Sequence, residues 1–197
     1  MKIKNAILVI MSFVATAIAI VFFVGASTGS IDNDTLTNLI FGYFITFVVM
    51  WVYAFISGIF SLVISVSSKK PANPKNALIT KILMIPFFLV NFTVWFLLVF
   101  GFSMISFVPV PGAFLFGLPA VIIGCLSVTG TYVIMISTSV DVIVPFIKKV
   151  FKKEAEAAGI IGTILLFIFC LDAIGAGILT MCNKKNNNNY QQVGYQA

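Results

Sequence analysis

Hydrophobic positions along the chain gather into five long blocks, over residues 6–26, 38–66, 82–108, 113–139 and 159–181. Each block, wound as a helix at ~1.5 Å per residue, reaches across the ~30 Å hydrocarbon core of a bilayer. A membrane leaves backbone amides no water to bond, so an unbroken apolar run of this kind satisfies them as an α-helix. The expected fold is all-α: a polytopic transmembrane helix bundle of four or five spans. Residues 1–182 form a single membrane domain, and the polar tail 183–197 is too poor in apolar residues to bury a core and is predicted to be disordered.

The pieces between the blocks set the topology. The first block follows Lys2 and Lys4 and exceeds the core of an ordinary signal peptide, so a retained helix is expected over a cleaved leader. Residues 27–37 hold Asp32 and Asp34 but no lysine, together with the glycosylation acceptor Asn33-Asp34-Thr35. The 38–66 block would reach ~43 Å and must tilt or project. Residues 67–81 combine Lys69, Lys70, Lys75 and Lys81 with Pro71 and Pro74, a turn-rich, lysine-rich loop. Pro109-Val110-Pro111-Gly112 makes a tight turn between the third and fourth blocks, and Pro119 is expected to loosen the start of the fourth.

Residues 141–158 read differently. Phe146, Ile147, Val150 and Phe151 alternate in pairs with Lys148, Lys149, Lys152 and Lys153, so a helix here separates an apolar from a basic face, with Pro145 in its first turn. Such a basic amphipathic helix lies at the interface, its lysines on anionic headgroups of the cytosolic leaflet.

Composition sharpens this picture. Of 197 residues, 60% are hydrophobic and only 9% charged. Soluble domains carry about 25% charged residues, so water cannot be the solvent over most of this surface. The net charge of +6 sets twelve basic residues, all lysine, against six acids. With no arginine, and with the lysines flanking apolar blocks, it fits an inside-positive bias and not a nucleic-acid partner. In a five-span topology with the N-terminus inside, ten lysines are cytosolic and Lys184 and Lys185 lie outside. Re-entry of the last block at residues 172–177 would instead place all twelve in the cytosol. Simple spanning is the expectation, because the many Ile, Leu and Phe residues of that block outweigh the ~2.5–3.5 kcal/mol cost of inserting Asp172.

Candidate chemistry is sparse. There is no histidine, no cysteine spacing suited to zinc, no phosphate-cradling loop and no nucleophile turn. The expectation is no enzyme, no cofactor and no metal. Cys125 and Cys170 lie in apolar blocks, and Cys182 would suit palmitoylation if it faces the cytosol. Asp172 is the one acid inside an apolar block, where such residues face protein or an ion path; Asn91 and Thr93 are its candidate polar partners. Ser57, Ser61 and Ser65 with Gly58, and Ala120, Gly124, Ser127 and Thr131, form small-residue faces suited to close helix packing, including in a homo- or hetero-oligomer. Tyr190-Gln191-Gln192-Val193 resembles a tyrosine-based sorting signal of the Tyr-x-x-apolar kind, readable only from the cytosol. The resemblance implies that Tyr190 and Val193 are the residues read there.

Two functions follow. The leading expectation is a non-enzymatic bundle that organises or traffics membrane in the secretory pathway, plasma membrane or endosomal system, with membrane lipids as partners. The rival is a channel or transporter subunit centred on Asp172.

Overall fold

A computed structural model describes residues 3–67, 74–106, 113–151, 157–168 and 171–182, and every regular element among them is an α-helix. In chain order these are α1 (Ile3–Thr28), α2 (Asn33–Ser67), α3 (Pro74–Ser106), α4 (Ala113–Ser137), α5 (Val140–Phe151), α6 (Ala157–Leu165) and α7 (Asp172–Cys182). Three of them, α1 to α3, are long and apolar enough to cross a membrane, and α4 with α5 would make a fourth if that bent pair counts as one span.

The helix ends have local causes. Thr28 and Ser27 hydroxyls both donate to the Val24 carbonyl, and Gly29 then adopts a left-handed φ of 63° that ends α1. The Asp32 carboxylate accepts the Thr35 amide at 2.9 Å and caps α2. The expected loop 27–37 thus shrinks to residues 29–32, and Asn33 becomes the exposed first residue of α2. At 35 residues α2 would be ~52 Å long, well beyond one hydrocarbon core.

Three expectations need correction. The proline- and lysine-rich composition predicts a loop through residue 81, yet α3 starts at Pro74, because proline at the first helical position has its φ already set and no amide to satisfy. Lys75 and Lys81 are therefore helical. Pro119 lies inside α4, which runs unbroken from Ala113 through it. Pro145 falls in the second turn of α5 and not the first, because that helix already begins at Val140. The turn at Thr138 and Ser139 bends the chain by 69° between α4 and α5.

The largest difference concerns the block 159–181, expected as one spanning helix. It folds instead as α6, which gives way to turn residues at 166–168 and at Leu171, and α7. The two short helices pack antiparallel. An added Cβ on Gly175 would meet the Gly162 carbonyl oxygen at 2.6 Å and the Leu166 amide nitrogen at 2.9 Å; one on Gly162 would meet Leu179 at 3.1 Å. Only glycine allows backbones this close.

The chain divides into two compact units. Unit 1 comprises Met1–Ile7, Ala54–Leu83 and Ile134–Ala197; unit 2 comprises Leu8–Tyr53 and Met84–Val133. In unit 1 an apolar core of Ala77, Val142, Ile143, Leu166, Ala176 and Leu179, flanked by Leu78 and Phe146, joins the start of α3 to α5, α6 and α7. Gly159 abuts the Phe146 ring and lets α6 start against α5. In unit 2, Tyr43, Phe47, Phe87 and Trp95 are among the buried residues, and the Trp95 ring lies 5.4 Å from Phe44 and 5.9 Å from Phe47 between centroids, in edge-on and tilted contacts. Val99 against Gly124 and Asn91 against Thr131 register α3 and α4 as an antiparallel pair there.

Candidate functional site

The polar side chains that this apolar chain buries are organised separately in each unit. Unit 1 uses charges. Lys81, on the second turn of α3, is 2% exposed, and Asp172, the first residue of α7, is 6% exposed. Lys81 Nζ donates to Asp172 Oδ2 at 2.6 Å, while Asp172 Oδ1 accepts the Ala173 amide at 2.9 Å. The carboxylate therefore sits at a helix N-terminus, where the backbone dipole favours negative charge, and meets a cation head-on. Neither ion is left alone in an apolar surround, which would cost several kcal/mol.

A second pair lies in the same unit. Lys4 Nζ is 3.2 Å from Asp141 Oδ2, and it also donates to Ser61 Oγ and, at 3.2 Å, to the Ser137 carbonyl. Ser65 Oγ donates to Asp141 Oδ1 at 3.3 Å. One ammonium thus joins the start of α1 to the ends of α2 and α4 and the start of α5. The neighbours of these lysines connect the two pairs: Asn5 Nδ2 donates to Thr80 Oγ1 at 3.1 Å, with both side chains buried.

Unit 2 buries neutral groups. Asn91 Oδ1 accepts from Tyr43 Oη at 2.7 Å and from Trp95 Nε1 at 2.9 Å, and Asn91 Nδ2 donates to Thr131 Oγ1 at 2.8 Å. The Thr131 hydroxyl in turn donates to the Ser127 carbonyl at 2.8 Å. The amide's acceptor and one of its donor hydrogens are engaged, so the cluster holds α2, α3 and α4 in register without charge.

These positions change the roles assigned from sequence. Asp172 has Lys81 as its partner, not Asn91 or Thr93. Asn91 belongs to the unit 2 network, and Thr93 is exposed and donates to its own helix at Leu89. Lys148, a candidate headgroup ligand, donates to the carbonyls of Ser65 and Val66 at 3.0 and 2.6 Å, so it caps the C-terminus of α2. Lys149 is exposed on α5; Lys152 and Lys153 lie outside the described residues, as do Cys170, Tyr190 and Val193. The apolar set of α5 divides: Phe146 packs on the unit 1 core, while Ile147, Val150 and Phe151, the last 84% exposed, face outward. The small-residue faces are used within the chain. Ser57 reaches Ser137, Ser61 reaches Lys4, Ser65 reaches Asp141, Thr131 accepts from Asn91, and Gly58 and Gly124 admit Ser137 and Val99 closely.

Lys81 is the functional residue that sequence reasoning missed. Its signal was its place in the second turn of a helix that Pro74 could already have started. Asp172 carried a second unread signal, since aspartate followed by an apolar run is a helix start.

A family model matches residues 2–186, and its description is "Family of unknown function (DUF6652)". Comparison with curated proteins and with solved structures gives no match.

Proposed function

The chain belongs to the family of unknown function DUF6652, and we propose that it is a multi-pass membrane protein that acts without catalysis, organising or trafficking the membrane it occupies. The observation that carries this reading is the outward display of large apolar side chains along α1 to α4. Phe13, Ile20, Phe41, Ile45, Phe60 and Phe96 are all exposed, far beyond the few hundred Å² of apolar patch that a water-soluble monomer tolerates. Lipid is the solvent that such a surface suits. All twelve lysines fall within the residue ranges of unit 1, whereas unit 2 holds only Asp32 and Asp34 as charges, and this segregation supports a cytosolic side for the lysine-bearing segments. Ile147, Val150 and Phe151, beside Lys149, then rest at the interface of an anionic leaflet.

The pairing of Asp172 supports a structural role over an ion path, because a carboxylate already neutralised at 2.6 Å offers no open site for a passing cation. Reconstitution into phosphatidylserine-containing vesicles tests both parts. Carbonate-resistant insertion, altered vesicle size or clustering, and no proton flux are expected. Proton flux abolished by Asp172→Asn would replace this reading with the transporter one.

A further inference from the structure

We infer that α6 and α7 enter the bilayer as a re-entrant hairpin latched by Lys81 on Asp172, and that this latch keeps the C-terminus on the same side as the N-terminus. The inference rests on the membrane reading above and adds to it a topology and the residues that decide it.

Length comes first. With 9 residues α6 would be ~14 Å long, and with 11 residues α7 would be ~17 Å. Neither crosses a ~30 Å core, but two such helices reach about halfway in and return. The contacts of Gly162 with Leu179, and of Gly175 with Leu166, have the register of a return and not of a bent single span.

A break inside hydrocarbon must satisfy its own backbone, and the described amides of this one have partners within the segment. Phe167, Ile168 and Leu171 amides donate to the carbonyls three residues earlier, Ile164, Leu165 and Ile168, at 3.0, 3.2 and 3.1 Å. The Leu166 and Gly175 amides donate to Gly162 and Leu171. Phe167, Ile168 and Leu171 are apolar and exposed, so the described side chains of the turn that face outward suit lipid.

The charge then explains why the block does not straighten. As one helix, residues 159–181 would reach ~34 Å and could span, with Asp172 carried away from Lys81. Folded back, Asp172 starts α7 and sits on Lys81. The same fold brings Lys184 and Lys185 to the side of the other ten lysines, which removes the exception that a five-span topology leaves in the inside-positive pattern. The tail that carries Tyr190 and Val193 then emerges in the cytosol.

The test is the sidedness of a tag placed after Ala197 in the full-length chain, read by protease protection in sealed and permeabilised membranes. A second tag before Met1 serves as the reference. In the wild type both tags are expected on one side. Asp172→Leu, which removes the charge from the block, and Gly175→Leu, which forces the two helices apart, are each expected to move the C-terminal tag across in most molecules. The exchange Lys81→Asp with Asp172→Lys is expected to restore the wild-type side. Opposite tags in the wild type would overturn the hairpin. Identical sidedness in the wild type, Asp172→Leu and Gly175→Leu would leave the hairpin and overturn the latch. If Asp172→Leu is degraded, the exchange variant and Gly175→Leu decide the latter point. Loss of wild-type protein to carbonate extraction would sink the membrane reading itself, a result separate from either.

Discussion

Units 1 and 2 both bury polar side chains in an otherwise apolar chain, yet they do so by different chemistry. Unit 1 relies on two lysine–aspartate pairs, Lys81–Asp172 and Lys4–Asp141, while unit 2 relies on an amide, a phenol, an indole and a hydroxyl arranged around Asn91. An ion pair is strong only while both partners stay, since removing one leaves a bare charge. A neutral network loses less with each deletion, because an amide or hydroxyl costs less to strand than a charge. The difference separates the tasks. Elements from opposite ends of the chain, residues 4 and 141 or 81 and 172, are joined by ions. The regular packing of α2, α3 and α4 in unit 2 is set by neutral hydrogen bonds.

The sharpest way to break this comparison is to remove one member of the most buried pair. Asp172→Asn or Lys81→Met is expected to lower stability by about 3–5 kcal/mol, seen as a lower unfolding temperature in detergent. The double change Lys81→Met with Asp172→Leu should recover most of that loss. Equal damage from the single and double variants would mean that the pair contributes packing and not charge. Next comes Lys4→Met, expected to cost about 2–3 kcal/mol because its head bonds several charged or polar partners; its effect should weaken in an Asp141→Asn background, as a double-mutant cycle would show.

In unit 2, Asn91→Leu strands the Tyr43 hydroxyl and the Trp95 indole, removes the donor to Thr131, and is expected to cost about 2–4 kcal/mol, whereas Tyr43→Phe alone should cost about 1 kcal/mol. These losses should not respond to salt, in contrast to those of Lys4→Met. A matching salt dependence would erase the distinction between the units. The smallest effect belongs to the cap of α2. The Thr35 amide holds the Asp32 carboxyl below its usual value, so the cap contributes above the ordinary aspartate pKa of about 3.9 and is lost as pH falls through the lower folded value. Asp32→Ala should speed hydrogen exchange at Thr35 and Leu36 at neutral pH, and Asp32→Asn should largely preserve protection. Equal exchange rates in all three proteins would remove the cap from the account.

Much of the architecture was legible in the chain. Long apolar blocks dictate long helices because the backbone must bond to itself wherever side chains exclude water, and α1 to α4 follow four of those blocks. Their ends were read less well. The α3 start at Pro74 and the cap at Asp32 depend on single residues whose local chemistry competes with the hydropathy of a whole window. The site was legible only in half. Asp172 stood out as an acid in an apolar block, but its partner did not, because a lysine 91 positions away looks like any other basic flank until the chain folds.

By itself, then, the sequence determined an all-helical chain, the positions of its long helices and the confinement of its lysines to particular segments. These follow from local rules: periodic apolar runs, helix-stopping glycine, capping aspartate. Tertiary structure alone decided that the last block turns back, that Lys81 is buried on Asp172 and that Lys148 closes α2. Each of those outcomes turns on whether a specific partner arrives at hydrogen-bond distance, and burial makes an ion's cost depend on that partner rather than on its own neighbours in the chain.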